Sequence, residues 1–176
     1  MTIARFRLIL RLRCPLLLAA LIATICPLPA KNLPDPKAGC RLVVPDDWSV
    51  LNPAASGGYA IQAVKADRSK AVLLFVQPVS STASIDDNSD IIRGFEDGYQ
   101  KSGGKIVGRD RQKLHDITFY VLTGAQDTGK GVLHTCAWVT VVAGHMYQVC
   151  LYDLGGDPAK DSELSTAINS FSISPK

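Results

Sequence analysis

The side chains of this chain best suited to chemistry are three histidines, His115, His134 and His145, and five cysteines, Cys14, Cys26, Cys40, Cys136 and Cys150. The tightest combination is His134 with Cys136, with His145 as a second base on a neighbouring strand. A cysteine nucleophile needs an adjacent base, and that base needs a third group to orient it. No third group accompanies this pair, and two residues apart on one strand is ordinary strand-surface spacing. The chain carries no G-x-S-x-G elbow, no phosphate-cradling glycine loop and no H-E-x-x-H pair. Its cysteine spacings do not follow the C-x-x-C pattern of a zinc site. Asp86, Asp87 and Asp90 lack the regular oxygen spacing of an EF-hand loop and suit the positive end of a helix. The expectation is a protein that is not an enzyme and has no metal and no cofactor.

The first thirty residues carry the strongest single pattern. Arg5, Arg7, Arg11 and Arg13 precede an apolar run from Leu16 to Ile25, and Pro27-Leu28-Pro29-Ala30 leads into the polar Lys31-Asn32. This is the tripartite form of a secretory signal peptide over residues 1–30, cut after Ala30. The apolar run is about half of the roughly 20 residues a spanning helix needs. Lipoprotein processing at Cys26 wants a small residue before it, and Ile25 is bulky, so Cys26 is read as part of the removed peptide. The expected location is the periplasm or the extracellular space, with no stable membrane insertion after cleavage.

Removing the leader changes the charge. Four of the 19 Lys and Arg lie in it and none of the 16 Asp and Glu do, which leaves 15 against 16 and a formal charge of −1. A nucleic-acid binder would carry a basic surplus, and none remains. Residues 31–176 suit one domain. Within them, 31–38 hold two prolines and read as an extended, partly disordered leader, which places the folded domain at 39–176.

The periodicity then gives the elements. Cys40 to Val44 reads as a short strand closed by Pro45, with Trp48 anchoring the turn that follows. Tyr59 to Val64 alternates as a half-buried strand does, and Ala71 to Gln77 is apolar on both parities. Ile91, Ile92, Phe95 and Tyr99 form one helical stripe, capped by Ser84 or Asp86 and ended at Gly103-Gly104. Period two returns in strands near 105–114, 116–125, 131–141 and 145–152, whose short connections favour antiparallel neighbours. Asp157-Pro158 opens a second helix striped by Leu164, Ala167, Ile168 and Phe171. The fold class is α+β: a single, largely antiparallel sheet of about six or seven strands flanked by two main helices.

An oxidising compartment makes a disulfide the expectation. The hairpin from Val139 to Tyr147 has Gly144 as its evident turn residue. A three-residue loop over 142–144 puts glycine at the left-handed position and pairs Val141 with His145. Paired positions then sum to 286, as 136 and 150 do, so Cys136 and Cys150 face each other. Opposed residues have Cα separations of about 4.5–5.5 Å, which a disulfide accepts. Cys40 is left as the odd thiol. A two-residue loop at Ala143-Gly144 shifts the sum to 287 and sends the two cysteines to opposite faces.

Lys105, Arg109, Arg111, Lys113 and His115 share one parity, while Ile106, Gly108 and Leu114 take the other. An uninterrupted strand points the basic set to one face. That face either is solvated and guards an edge strand, or docks an acidic partner or an anionic envelope surface.

The opening Leu42-Val43-Val44-Pro45-Asp46-Asp47-Trp48 and the closing Ile168-Asn169-Ser170-Phe171-Ser172 resemble the PsbP-like superfamily, and so does the order of elements between them. Its branches include an extrinsic photosystem II subunit, a Ran-binding factor of nuclear transport and bacterial envelope proteins. The resemblance implies an α/β/α sandwich and a non-catalytic binding or assembly-supporting role with a protein partner. The alternative is a carrier of a small apolar or anionic ligand, held in a pocket between helix and sheet.

Overall fold

The structure, a computed structural model, describes residues 29–51, 60–87 and 89–174. The leader up to residue 28, Cys26 included, and the expected loop through Asn52-Pro53 and Gly57-Gly58 lie outside the described residues. The elements run β1 (Ala30–Asp35), β2 (Cys40–Pro45), β3 (Ser49–Val50), β4 (Ile61–Val64), β5 (Lys70–Pro78), α1 (Asp90–Lys101), β6 (Lys105–Leu114), β7 (Ile117–Asp127), β8 (Val132–Val142), β9 (His145–Leu154), α2 (Ser162–Ser170) and β10 (Ser172–Ile173). Seven strands form one antiparallel sheet in the order β3-β4-β5-β9-β8-β7-β6.

The expected single sheet of about six or seven strands corresponds to this one, but it is not the whole of the β-structure. A second, three-stranded sheet, β1-β2-β10, packs with α2 over one face of the large sheet. Residues 31–38 are not a leader ahead of the domain either, because β1 pairs along its whole length with β2. Pro34 is tolerated there because β1 is an edge strand, where a missing N–H leaves no ladder bond unmade.

Alternation on the strands divides the core in two. Phe119, Val121, Val149 and Leu151 face Leu42, Val44, Leu164, Ile168 and Phe171 from α2 and the small sheet. The opposite face of β7 presents Tyr120 and Leu122 to Ile92 of α1. Trp48 is fully buried in the first cluster, as an anchor for its turn. α1 is capped by Ser89, whose Oγ accepts from the Ile92 N–H at 3.3 Å, rather than by Ser84 or Asp86. α2 likewise starts later than Asp157-Pro158, with Asp161 accepting from the Glu163 and Leu164 N–H groups. Both caps sit one turn nearer the apolar stripe than the nearest prolines and acids suggest.

Ions fix α2 to the sheet. Lys70 of β5 bonds Asp161 and, at 2.7 Å, Glu163, and Lys65 bonds Glu163 at 2.9 Å. These side chains are only 16–26% exposed, so the pairs are better shielded from screening than surface ones.

Candidate functional site

The expected Cys136–Cys150 bridge is absent. The β8–β9 hairpin turns on two residues, with Val142 paired to His145. Ala143 and Gly144 both take left-handed backbone, φ +49 and +72, the form of a type I′ turn whose twist suits the strands. Cys136 therefore opposes Leu151, and Cys150 opposes Ala137 on the other face. Cys40, Cys136 and Cys150 are all free and buried. Burial, with a smaller push from Asp157, raises the Cys136 thiol to about 11, against a partial offset from the Trp138 indole. Burial and Asp35 raise Cys40 to about 12. His134 lies two residues from Cys136 on β8, while His145 stands at the far end of the hairpin.

The basic residues of β6 do not form one patch. A β-bulge between Ile106 and Gly108 inserts Val107, which is 74% exposed. One extra residue reverses the alternation that follows. Lys105, opposite Ala125, thus lies on the α2 face, while Arg109, Arg111 and Lys113 lie on the α1 face with Tyr120 and Leu122. Two of those three are engaged. Arg109 makes a two-pronged contact to Glu96 of α1 at 2.7 and 2.8 Å. Arg111 donates to the Ile85 carbonyl and to Asp87 at 2.7 and 2.8 Å. Tyr120 donates to Glu96 from below. The Arg109 guanidinium holds Glu96 below the usual carboxylate range, and burial with the Glu96 charge pushes Tyr120 up to about 12. Lys113 and His115 are exposed, and His115, in the β6–β7 turn at φ +48, contacts the Asn169 carbonyl at 3.0 Å through its imidazole. The sequence does carry a signal for the bulge: Gly108 breaks an otherwise charged strand, and a Cβ there would lie 2.7 Å from Thr123 Oγ1.

The bulge also opens a groove. α2 packs beside β2 of the small sheet and is ion-paired to Lys70 of β5, and between it and β6 remains a cleft of about 440 Å³. The ladder lays its floor in two rungs, Gly108–Thr123–Cys136–Leu151 and Asp110–Val121–Trp138. Ser165, Ile168 and Asn169 of α2 form the wall, and Pro158-Ala159 close one end. Trp138 is partly exposed there, held edge-on by Phe119 at 5.8 Å between ring centroids. Among the described residues, no three His, Cys, Asp or Glu side chains converge as a metal site would require. Among the same residues, no helix is long and apolar enough to cross a membrane.

The two-sheet arrangement with one helix per face is the PsbP-like fold. No protein-family model matches the chain, and no curated protein sequence does. Among solved structures it is similar to cyanobacterial PsbP (CyanoP) from Synechocystis sp. PCC 6803, at 19% identity and TM-score 0.65, covering 82% of this chain and 92% of that one. It is similar to the Ran-binding protein Mog1p of Saccharomyces cerevisiae, at 7% identity and TM-score 0.56 over 83% and 96% of the two chains. It is also similar to LpqN of Mycobacterium tuberculosis, described as involved in cell envelope biogenesis, at 20% identity and TM-score 0.54 over 84% and 91%.

Proposed function

We propose that this is an exported, non-catalytic accessory protein of the cell envelope that works by binding another protein. The observation that carries the reading is the fold match over more than four fifths of the chain to a Ran-binding protein and to a protein of envelope biogenesis. The leader over residues 1–30 supports export. Fold similarity at this identity is an analogy, so the site argument narrows it. On the α1 face of β6, Arg109 and Arg111 are bound to α1, which leaves Lys113 as the cation with no ion-pair partner among the described residues. An acidic partner meets this face through Lys113, with the paired arginines behind it.

The test is recovery of the exported form from its own envelope by affinity capture at low and high salt, with its intact mass. A chain beginning at Lys31 and a partner released by salt support the reading. A cytoplasmic chain that retains Met1 refutes it. A second reading, a carrier of a small ligand, is favoured by one observation, the groove of about 440 Å³ beside α2, which falls in the size range of small-molecule sites.

A further inference from the structure

The groove beside α2 is apolar along its floor and acidic at its rim. Val121, Leu151 and Ile168 are buried beneath or beside it, and the Trp138 ring is partly exposed within it. At the mouth stands Asp110. Its carboxylate accepts from the Gln112 amide at 3.0 Å and from the Arg111 backbone N–H at 2.7 Å. Both bonds hold it ionised, below its ordinary range, Gln112 contributing most. Among the described residues Asp110 has no ion-pair partner.

The nearby charges do not cancel it. Arg109 also borders the groove, but its guanidinium is bound by Glu96 on the opposite face of the sheet. At the other end Asp157, next to the lining Pro158, is ion-paired with Lys160 at 3.2 Å. Asp110 is the one acidic side chain lining the cleft among the described residues, and Arg109, the one basic side chain there, is turned to Glu96. This departs from the anionic ligand that the carrier alternative allowed.

Asp110, Val121 and Trp138 lie on one rung across three neighbouring strands. Two strand spacings separate the carboxylate from the indole, roughly 10 Å. We propose that this groove binds a small organic cation, an amine-bearing amphiphile whose ammonium sits at Asp110 and whose apolar body lies over Val121 against Trp138. The charge is met by a carboxylate already ordered by two hydrogen bonds, so little is lost in fixing it. The apolar body covers an aromatic face that is otherwise wet. Gly108 matters because a side chain there crowds Thr123 at the mouth.

This deepens the carrier reading and rests on it, so the experiment separates the two. The exported chain is titrated calorimetrically with 4-phenylbutylamine, and with the matching acid and alcohol. Trp138 supplies a second readout, because of the two tryptophans Trp48 is fully buried. The amine should bind saturably and shift the tryptophan emission, about two- to fivefold tighter than the alcohol, the size of an ion pair to the exposed Asp110 carboxylate. The acid should bind more weakly still. Asp110→Asn should bring the amine down to the alcohol, and Trp138→Leu should weaken all three. Equal binding of amine and acid, or an amine preference that survives Asp110→Asn, overturns the cation assignment and leaves a carrier. No saturable binding by any of the three overturns both.

Discussion

Cys136 lies directly opposite Leu151 across the β8–β9 ladder, and Cys150 opposite Ala137, so the two thiols stand on opposite faces of one sheet. No rotamer change can join them, because the sheet itself lies between. Alkylation of residues 31–176 in denaturant without reductant should therefore label Cys40, Cys136 and Cys150 together. In the native state all three should react slowly, since each is buried and burial raises each thiol. A Cys136–Cys150 peptide in a non-reducing digest would contradict this register.

The same turn makes a stability prediction. Ala143 holds φ +49 without glycine's freedom, and asparagine is far better suited to that region. Ala143→Asn should stabilise the chain by about 0.5–1 kcal/mol, read as a rise of about 1–4 °C in Tm. A loss of stability would argue for the three-residue loop.

Gly124 lies beneath the ring of Tyr99, and a methyl group there would clash with its ring and hydroxyl. Gly124→Ala should push α1 off β7 and cost about 1–3 kcal/mol, the range for overpacking, in urea unfolding. Gly98→Ala is the control, since nothing lies within 4 Å of that position. Equal effects from the two would contradict the docking of α1.

Acid should loosen α2 first. Burial opposes ionisation of Asp161 and Glu163, but Lys70, joined by the Glu163 and Leu164 N–H groups at Asp161 and by Lys65 at Glu163, outweighs it and holds both below their ordinary values of 3.8 and 4.5. A carboxylate depressed by folding adds stability above its unfolded value and loses it as pH falls through its folded value. Stability should thus decline below about pH 4.5. Lys70→Met should flatten that decline and cost about 1–3 kcal/mol at pH 7, by leaving Asp161 without its cation while Glu163 keeps Lys65. An unchanged acid profile in that variant would contradict the network.

The basic residues of β6 should separate by role. Arg109→Gln breaks the two-pronged contact to Glu96 and should cost about 0.5–1 kcal/mol, toward the upper end for surface pairs. Lys113→Gln should change stability by less than about 0.5 kcal/mol. Urea melts of the two variants decide it, and equal costs would remove the distinction.

What the sequence made legible follows from what periodicity can carry. The four long strands from Lys105 to Leu154 were readable from period two and short turns, and their bounds agree with the expected ones within about two residues. The two helices were readable from Ile92 and Leu164 with their neighbours. Register was not, because it turns on single residues. Gly144 alone marks the hairpin and cannot say whether Val142 or Ala143 begins the turn. The bulge at Val107 moves Lys105 to the other face, and only Gly108 hints at it. β1 was hidden by Pro34, which an edge strand tolerates, and by Pro36 just beyond its end. The groove was not legible as a place at all, since it exists only where α2 stops short of β6.

The most direct test of the account is position-resolved photo-crosslinking in the protein's own cells. A photo-reactive residue at Lys113, on the α1 face of β6, should give one discrete protein adduct outside the cytoplasm, contacted through an acidic segment. The same residue at Lys130, exposed in the β7–β8 turn, should give none. A fully exported chain that yields no adduct from position 113, or the same adduct from both positions, would contradict a protein that works by docking a partner at this face.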